Sequence, residues 1–371
     1  MRILWSSDHH TLHQTTPTFH ILGNLSTFYY KDHDLSKVGL VIKGGDLMDR
    51  LVDSNHPDLF RVKEWNSGFL NECHKHKVAV LYLEGTSSHD WGQPKHLETV
   101  APVDMDFRYV DTLSIQHYPQ LDGLTVLCVP DNMGAMTPDE VWEKALTVLN
   151  EHKLTKVDVI AFHGTWDHQL PGHVMHKKHD RARWESICNY LILSGHIHIP
   201  SVEGLVHSSG SFDRIAHGEE HPKGAYVVDL DQKKKTFKAS FWENKKALPY
   251  VTLKVKPDIT PEQLVLDLHK FIREKRLPHF AQVRVANGPG EVVNPIISVF
   301  EKEYPHLGFK TKNLKADGEL VGEELFDEHT YEGVSITKDN LIATLWPEMA
   351  DTFKGLGISE EEALALLEEF K

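Results

Sequence analysis

Cysteine is scarce here: the 371 residues hold three, Cys73, Cys128 and Cys188, odd in number and widely spaced. That pattern fits free thiols in a reducing compartment and argues against a disulfide framework. Long apolar runs are missing too, so no segment approaches a membrane span. No leader-like stretch precedes the first strand pattern, and cytosolic residence is the simplest expectation. Internal repeats are absent. So is any excess of positive charge, since the net charge is -14. The deficit is local: residues 314–371 carry fifteen Asp/Glu against four Lys/Arg, a balance of -11 that leaves -3 for residues 1–313. A chain of this balance is no strong stand-alone DNA binder, although a nearly neutral body can grip phosphates through local Lys/Arg and metal ions.

With 40% hydrophobic residues over this length, the chain can bury a large core and divides into more than one domain. Short apolar runs at 2–6, 38–43, 78–83, 157–162 and 190–193 read as buried strands. They alternate with helical stretches at 57–77, 138–152 and 181–189, the second opened by Thr137 as cap and Pro138 at its first position. Further strand-like runs at 124–130, 205–209, 225–230 and 236–242 lack long intervening helices. The expected fold is α/β: a β-sandwich of mixed sheets flanked by helices over 1–246. A small α+β unit follows over 247–313, where Thr260 and Gln263 have capping-box spacing. Residues 314–336 read as an acidic linker and 337–371 as a C-terminal helix pair, with Leu341, Leu345, Trp346 and Met349 on one face of its first helix. Such a pair has too little partner surface of its own, so it is expected to dock on another chain.

The chemistry lies in five short blocks, each following a strand pattern. They are Asp8-His9-His10, Gly45-Asp46-Leu47-Met48-Asp49, Ser88-His89-Asp90, His163-Gly164 and Gly195-His196-Ile197-His198. Strand ends along one edge of a layered α/β protein converge on one crevice. Carboxylates mixed with imidazoles suit manganese, iron or zinc better than calcium or magnesium. The blocks therefore describe a two-metal hydrolytic site. A lone His or Asp is usually an ordinary hydrogen-bonded residue, but coincidence is a poor account of so many at strand ends. Trp91 and Trp166, each just past a block, read as packing under their loops in preference to stacking on bases.

In this order the blocks resemble the calcineurin-like metallophosphoesterases, whose pattern runs DxH, GDxxD, GNHD, a lone H and GHxH. Two further features make the chain similar to the nuclease subunit of the SbcC-SbcD type of DNA repair complex. One is Ser209-Gly210-Ser211-Phe212-Asp213-Arg214 followed by the run from Lys223 to Leu230; the other is the cap-like second unit. The resemblance implies that Asp8, His10 and His198 hold one metal, that His163 and His196 hold the other, and that Asp46 bridges both. Asp49 becomes an orienting partner outside the ligand set, and His89 acts on the leaving group with Asp90 holding its tautomer. One block departs from the pattern. Gly85-Thr86-Ser87-Ser88-His89-Asp90 stands where the family has Gly-Asn-His-Asp, so Ser88 takes the place of the Asn ligand and the second metal is expected to be held more loosely.

The activity implied is manganese-dependent hydrolysis of DNA phosphodiesters by a homodimer, as a 3′-to-5′ exonuclease on duplex ends and an endonuclease on single strands. An SbcC-like coiled-coil ATPase would bind through 337–371, and DNA would run over the cap at 247–313. The rival readings are a phosphatase or cyclic-nucleotide phosphodiesterase on the same scaffold, and a non-catalytic scaffold that has lost its site.

Overall fold

Period-two alternation sets the layers. In β1 (Arg2–Ser6), Ile3 and Trp5 point to one face and Leu4 to the other, and all three are fully buried, so both faces of the strand are covered. The computed structural model describes residues 1–131, 134, 136–170 and 177–312, all within one unit, Met1–Leu325. After β1 come β2 (Leu40–Lys43), β3 (Ala79–Leu83), β4 (Phe107–Val110), β5 (Ser114–Tyr118), β6 (Leu124–Val129) and β7 (Val157–His163). The short β8 (Thr165–Trp166) and β9 (Lys178–His179) precede β10 (Cys188–Gly195), β11 (Ser201–Glu203), β12 (Val206–Ser208), β13 (Gly224–Asp231) and β14 (Thr236–Glu243). They build two six-stranded mixed sheets, ordered β14-β13-β1-β2-β3-β4 and β11-β12-β10-β7-β6-β5.

Between the sheets, Ile3, Trp5, Ile42 and Leu81 of the first pack against Val126, Val159, Ala161 and Leu193 of the second. The outer face of the first sheet carries Leu4, Val41 and Val80 against α1 (Thr18–Ser26) and α2 (Pro57–Lys75). Two single-turn helices, α3 (Ser87–Asp90) and α4 (Leu97–Val100), follow β3. On the second sheet, Leu127, Ile160 and Ile192 meet Val141, Ala145 and Leu149 of α5 (Pro138–Glu151) and Trp184 of α6 (Arg181–Ser186). Each large side chain buried this way contributes about 1.5–3 kcal/mol against exposure. The result is the expected α/β sandwich, helices outside and two sheets within.

Local signals explain most boundaries. Thr137 and Glu140 make a complete capping box at the start of α5, with Pro138 at its first position. The helical stretch read over 181–189 stops at Ser186 because Cys188 already begins β10. No sequence signal announced α1 or the π-helical turn Thr27–Asp32 after it: Pro17 offers no capping side chain and the first turn holds no acid.

The small α+β unit consists of β15 (Tyr250–Lys254), α7 (Pro261–Lys275), β16 (Gln282–Ala286), α8 (Gly290–Glu303) and β17 (Gly308–Lys312). Its parallel three-stranded sheet packs one face, with Val283 and Val285, against Leu264, Leu268, Val293 and Phe300 of the two helices. The opposite face places Thr252, Arg284 and Lys310 side by side in register. Thr260 caps α7 by accepting from the Gln263 backbone, but the Gln263 side chain turns to Asp267, so the second expected capping box is half made. The linker read at 314–336 and the helix pair at 337–371 lie outside the described residues.

Asp213 staples these parts together. Fully buried, it accepts hydrogen bonds from Asn24 of α1 (2.7 Å), from the Leu248 backbone ahead of β15 (2.7 Å) and from the Arg214 backbone (2.8 Å). Asp213→Ala leaves the Leu248 and Arg214 backbone N–H groups without this acceptor and Asn24 with only its longer contacts to His20 and the Lys246 carbonyl, so urea unfolding should show a loss of about 3 kcal/mol or more. A loss below about 1 kcal/mol would contradict this role, and Asp213→Asn should fall between.

Candidate metal centre

Parallel pairing gathers the block-bearing strand ends. β1, β2 and β3 run side by side in one sheet, and β6, β7 and β10 in the other, so each set delivers its loops to one edge. The loops meet across the two sheets: the His196 backbone donates to both carboxylate oxygens of Asp8 (2.9 and 3.1 Å), and His163 Nδ1 donates to the Gly44 carbonyl (2.6 Å). Three groups of donors result, each with ligand-capable atoms within 4.8 Å of one another: His10 with Asp49 and His89, and the two that hold the expected ligands, Asp8 with His10 and His198, and Asp46 with His163 and His196. Asp46 Oδ2 lies 3.2 Å from His163 Nε2 and 4.0 Å from His10 Nε2, and so faces both of the latter groups.

The backbone there is strained. Asp8, His10, Asp46 and His196 all have positive φ (51°, 47°, 49° and 91°), a region that costs a residue with a side chain roughly 1–3 kcal/mol. Hydrogen bonds hold the strain in place: Asp8 N to Gly45 O, His10 N to Asp46 O and Phe212 N to Asp8 O, each 3.0–3.1 Å. Gly85 permits a close approach, since a Cβ on it would lie 2.1 Å from the Asp46 nitrogen and 2.3 Å from its Oδ1.

Which imidazole nitrogen carries hydrogen follows from the outer partners. His10 Nδ1 faces Asp49 (3.2 Å) and His198 Nδ1 faces Glu219 (2.6 Å), both acceptors, so each Nδ1 is the N–H. The remaining nitrogens, His10 Nε2 and His198 Nε2, then confront one another 3.0 Å apart, with Asp8 Oδ1 3.9 Å from the second. Two lone pairs and a carboxylate oxygen in a buried pocket repel unless a cation sits among them, either a proton or a metal. The same holds for His163: its Nδ1–H is spent on Gly44 and its Nε2 lone pair faces Asp46. Burial opposes charge on His163, yet Asp46, Asp8 and Asp131 push its pKa up to about 10. A pocket that draws a proton so strongly also draws a metal ion, and the donor set fits one.

The remaining sequence-derived residues divide. Asp49 accepts from His10 Nδ1 (3.2 Å). His89 Nδ1 donates to the Asp49 carbonyl (2.8 Å), and its ring stands edge-on to His10 at 4.9 Å. Burial lowers the His89 pKa, but Asp46 and that carbonyl outweigh it and raise it above the ordinary imidazole value. Asp90 does not hold the His89 ring. Its carboxylate accepts from the backbones of Leu47, Met48 and Gly85 (2.8–3.0 Å), fixing the loop around Asp46. Ser88 is exposed on α3, outside all three donor groups. The loop instead turns Thr86 inward: its backbone donates to Asp46 Oδ1 (2.6 Å), and its hydroxyl lies 3.3 Å from both Asp46 Oδ2 and His196 Nδ1. Of this loop it is thus Thr86, and not the Ser88 reached by counting back from His89, that faces the donor groups. Trp166 is buried and donates to Ser194, packing under its loop as expected, whereas Trp91 is exposed.

Sequence reasoning missed Glu219, Thr86 and Asp131. Glu219 anchors His198 and pairs with the buried Lys223 (3.0 Å). Burial raises its pKa, but Lys223 and His198 overcome that and hold it well below the usual carboxylate range. Asp131 leaves the end of β6 and approaches Thr86 Oγ1 (3.4 Å) and His196 Nδ1 (3.8 Å).

No protein-family model matches the chain, and no curated protein does. Among solved structures it is similar to TT1561 of Thermus thermophilus, with 16% identity and a TM-score of 0.40 over 65% of this chain and 98% of that one. A second solved structure is similar at 14% identity, with the same TM-score and coverage.

Glu219→Gln removes the charge that fixes the His198 ring, and should weaken metal uptake about tenfold to a hundredfold in a chelator-competition titration. Unchanged affinity, with the fold verified by circular dichroism, would remove Glu219 from the centre.

Proposed function

We propose that this protein is a two-metal phosphodiesterase of the calcineurin-like type, that its substrate is DNA, and that manganese is its metal. The observation that carries the reading is the pair of donor groups faced by Asp46 Oδ2, in which His10, His198 and His163 spend an N–H on an outer acceptor and turn a lone pair inward. Bound there, paired divalent cations would supply a nucleophile at neutral pH and neutralise charge on the phosphoryl oxygens. His89 would serve the leaving group. Its Nδ1–H is spent on the Asp49 carbonyl, so Nε2 is the atom able to hand over a proton, and the raised pKa keeps that proton available near neutrality.

Preference for a nucleic acid over a small phosphoester is supported by the three-stranded sheet. Tyr250, at the start of β15, hydrogen-bonds Thr15 and Thr16 (2.7 and 2.8 Å), a few residues past His10. Its ring also meets His217 at 5.1 Å. The sheet face carrying Arg284 and Lys310 is thereby set beside the loop that leaves the metal centre, and it offers positive charge to a phosphate backbone. Association as a homodimer with an SbcC-like coiled-coil ATPase, through residues 337–371, completes the proposal.

An end-labelled linear duplex tests it. Manganese should support cleavage that chelator abolishes, Asp8→Ala should eliminate it, and His89→Gln should lower kcat by about 10² to 10⁴. Equal cleavage by all three proteins would sink the site, and faster turnover of small phosphomonoesters than of DNA would favour a phosphatase. Arg284→Ala and Lys310→Ala should each reduce the slope of log affinity for DNA against log salt by about one.

A further inference from the structure

The amide ligand that the resemblance calls for has no counterpart here, and the structure supplies a different residue in its place. β6 and β7 are parallel, with Val129 beside Phe162, so the residue two past Val129 emerges at the same edge as His163. That residue is Asp131. Four ligand-capable atoms surround the Thr86 hydroxyl at near-equal distances: Asp46 Oδ2 at 3.3 Å, His196 Nδ1 at 3.3 Å, Asp131 Oδ2 at 3.4 Å and His163 Nε2 at 3.5 Å. Donors bonded to one metal at about 2.0–2.2 Å, with bond angles of a tetrahedral or octahedral site, stand about 3.0–3.5 Å apart. Measured from the Thr86 hydroxyl the four atoms have that spacing; among themselves, Asp46 Oδ2 and His163 Nε2 stand 3.2 Å apart and Asp131 Oδ2 and His196 Nδ1 3.8 Å, so that Asp131 borders the tighter group of Asp46, His163 and His196. Asp131 approaches Thr86 and His196, and it also feels the charges of His163, Asp46 and Lys177.

We propose that Asp131 is a direct ligand of the second metal, closing a donor set of Asp46, Thr86, Asp131, His163 and His196. This rests on the two-metal reading above and changes one of its terms. A neutral amide is replaced by a charged carboxylate, so the second centre carries two carboxylates and holds its cation more tightly, not more loosely, than the family pattern would. Ser88 has no part in it.

Manganese titration of the full-length protein, followed by electron paramagnetic resonance, tests the assignment. The wild-type chain should take up two ions per chain and show the spectrum of a coupled pair. Asp131→Asn, which keeps the shape and loses the charge, should weaken the second ion about tenfold or more and leave the six-line spectrum of a single ion at limiting metal. Asp131→Ala should bind one ion, and Ser88→Ala should match wild type. Two ions at wild-type affinity in both Asp131 variants would overturn the assignment while leaving the two-metal reading intact. No uptake by the wild-type chain would overturn both. Thermal melts of the metal-free proteins separate loss of binding from loss of fold, and Asp131→Asn keeps the test usable where the alanine variant fails to fold.

Discussion

Imidazole lone pairs facing one another in a dry pocket repel unless positive charge lies between them, and the centre of this protein is organised around that constraint. Asp49, Glu219 and the Gly44 carbonyl all stand on the outside, each taking an N–H and so turning the other ring nitrogen inward. The loops that deliver these groups adopt left-handed backbone at Asp8, His10, Asp46 and His196; the Asp8 and His10 N–H groups are held by the Gly45 and Asp46 carbonyls, and the Phe212 N–H donates to the Asp8 carbonyl. Strain, burial and charge converge on one spot, and the donor set gathered there suits a cation. Without positive charge among them the same residues form a cluster of unfavourable contacts.

How far the sequence discloses this depends on how each residue declares itself. Asp8, His10, Asp46, His163, His196 and His198 announce themselves because they follow strands that read as buried apolar runs. The strand pattern also fixes their edge: parallel neighbours deliver their C-terminal ends together. Thr86 and Ser88 could not be told apart, because an insertion in a loop carries no periodicity to locate it. Asp131 follows a strand like the others, yet a single Asp after Val-Pro forms no block and reads as an ordinary turn residue. Glu219 belongs to a loop whose role appears only when His198, 21 positions back, is brought beside it. The sandwich itself was legible in its alternating strands, while α1 was not, having neither cap nor acidic first turn.

The small unit owes its placement to polar anchors more than to apolar contact. Its helices cover only the inner face of the three-stranded sheet. Asp213 and the Tyr250 hydroxyl tie its first strand to α1 and to the loop after His10. Buried polar staples of this kind fix orientation more narrowly than area alone, since a lost partner leaves an unsatisfied group. The conspicuous run from Ser209 to Arg214 is therefore explained by scaffolding: Phe212 braces the strained Asp8 backbone and Asp213 binds the parts.

Each of the two expected donor groups draws on both sheets. Asp8, His10, Asp46 and Thr86 leave the first, whereas Asp131, His163, His196 and His198 leave the second. An ion held between them, as proposed, would bind the folded chain and not the open one, which would link folding to the free metal concentration. At a hundredfold excess over its dissociation constant, each such ion adds about 2.7 kcal/mol to the cost of separating the layers. Proteases attack the opened chain in proportion to its population. With the proposed ions bound, the lifetime of this protein in a cell would be set partly by metal supply, and a shortage would thin its numbers.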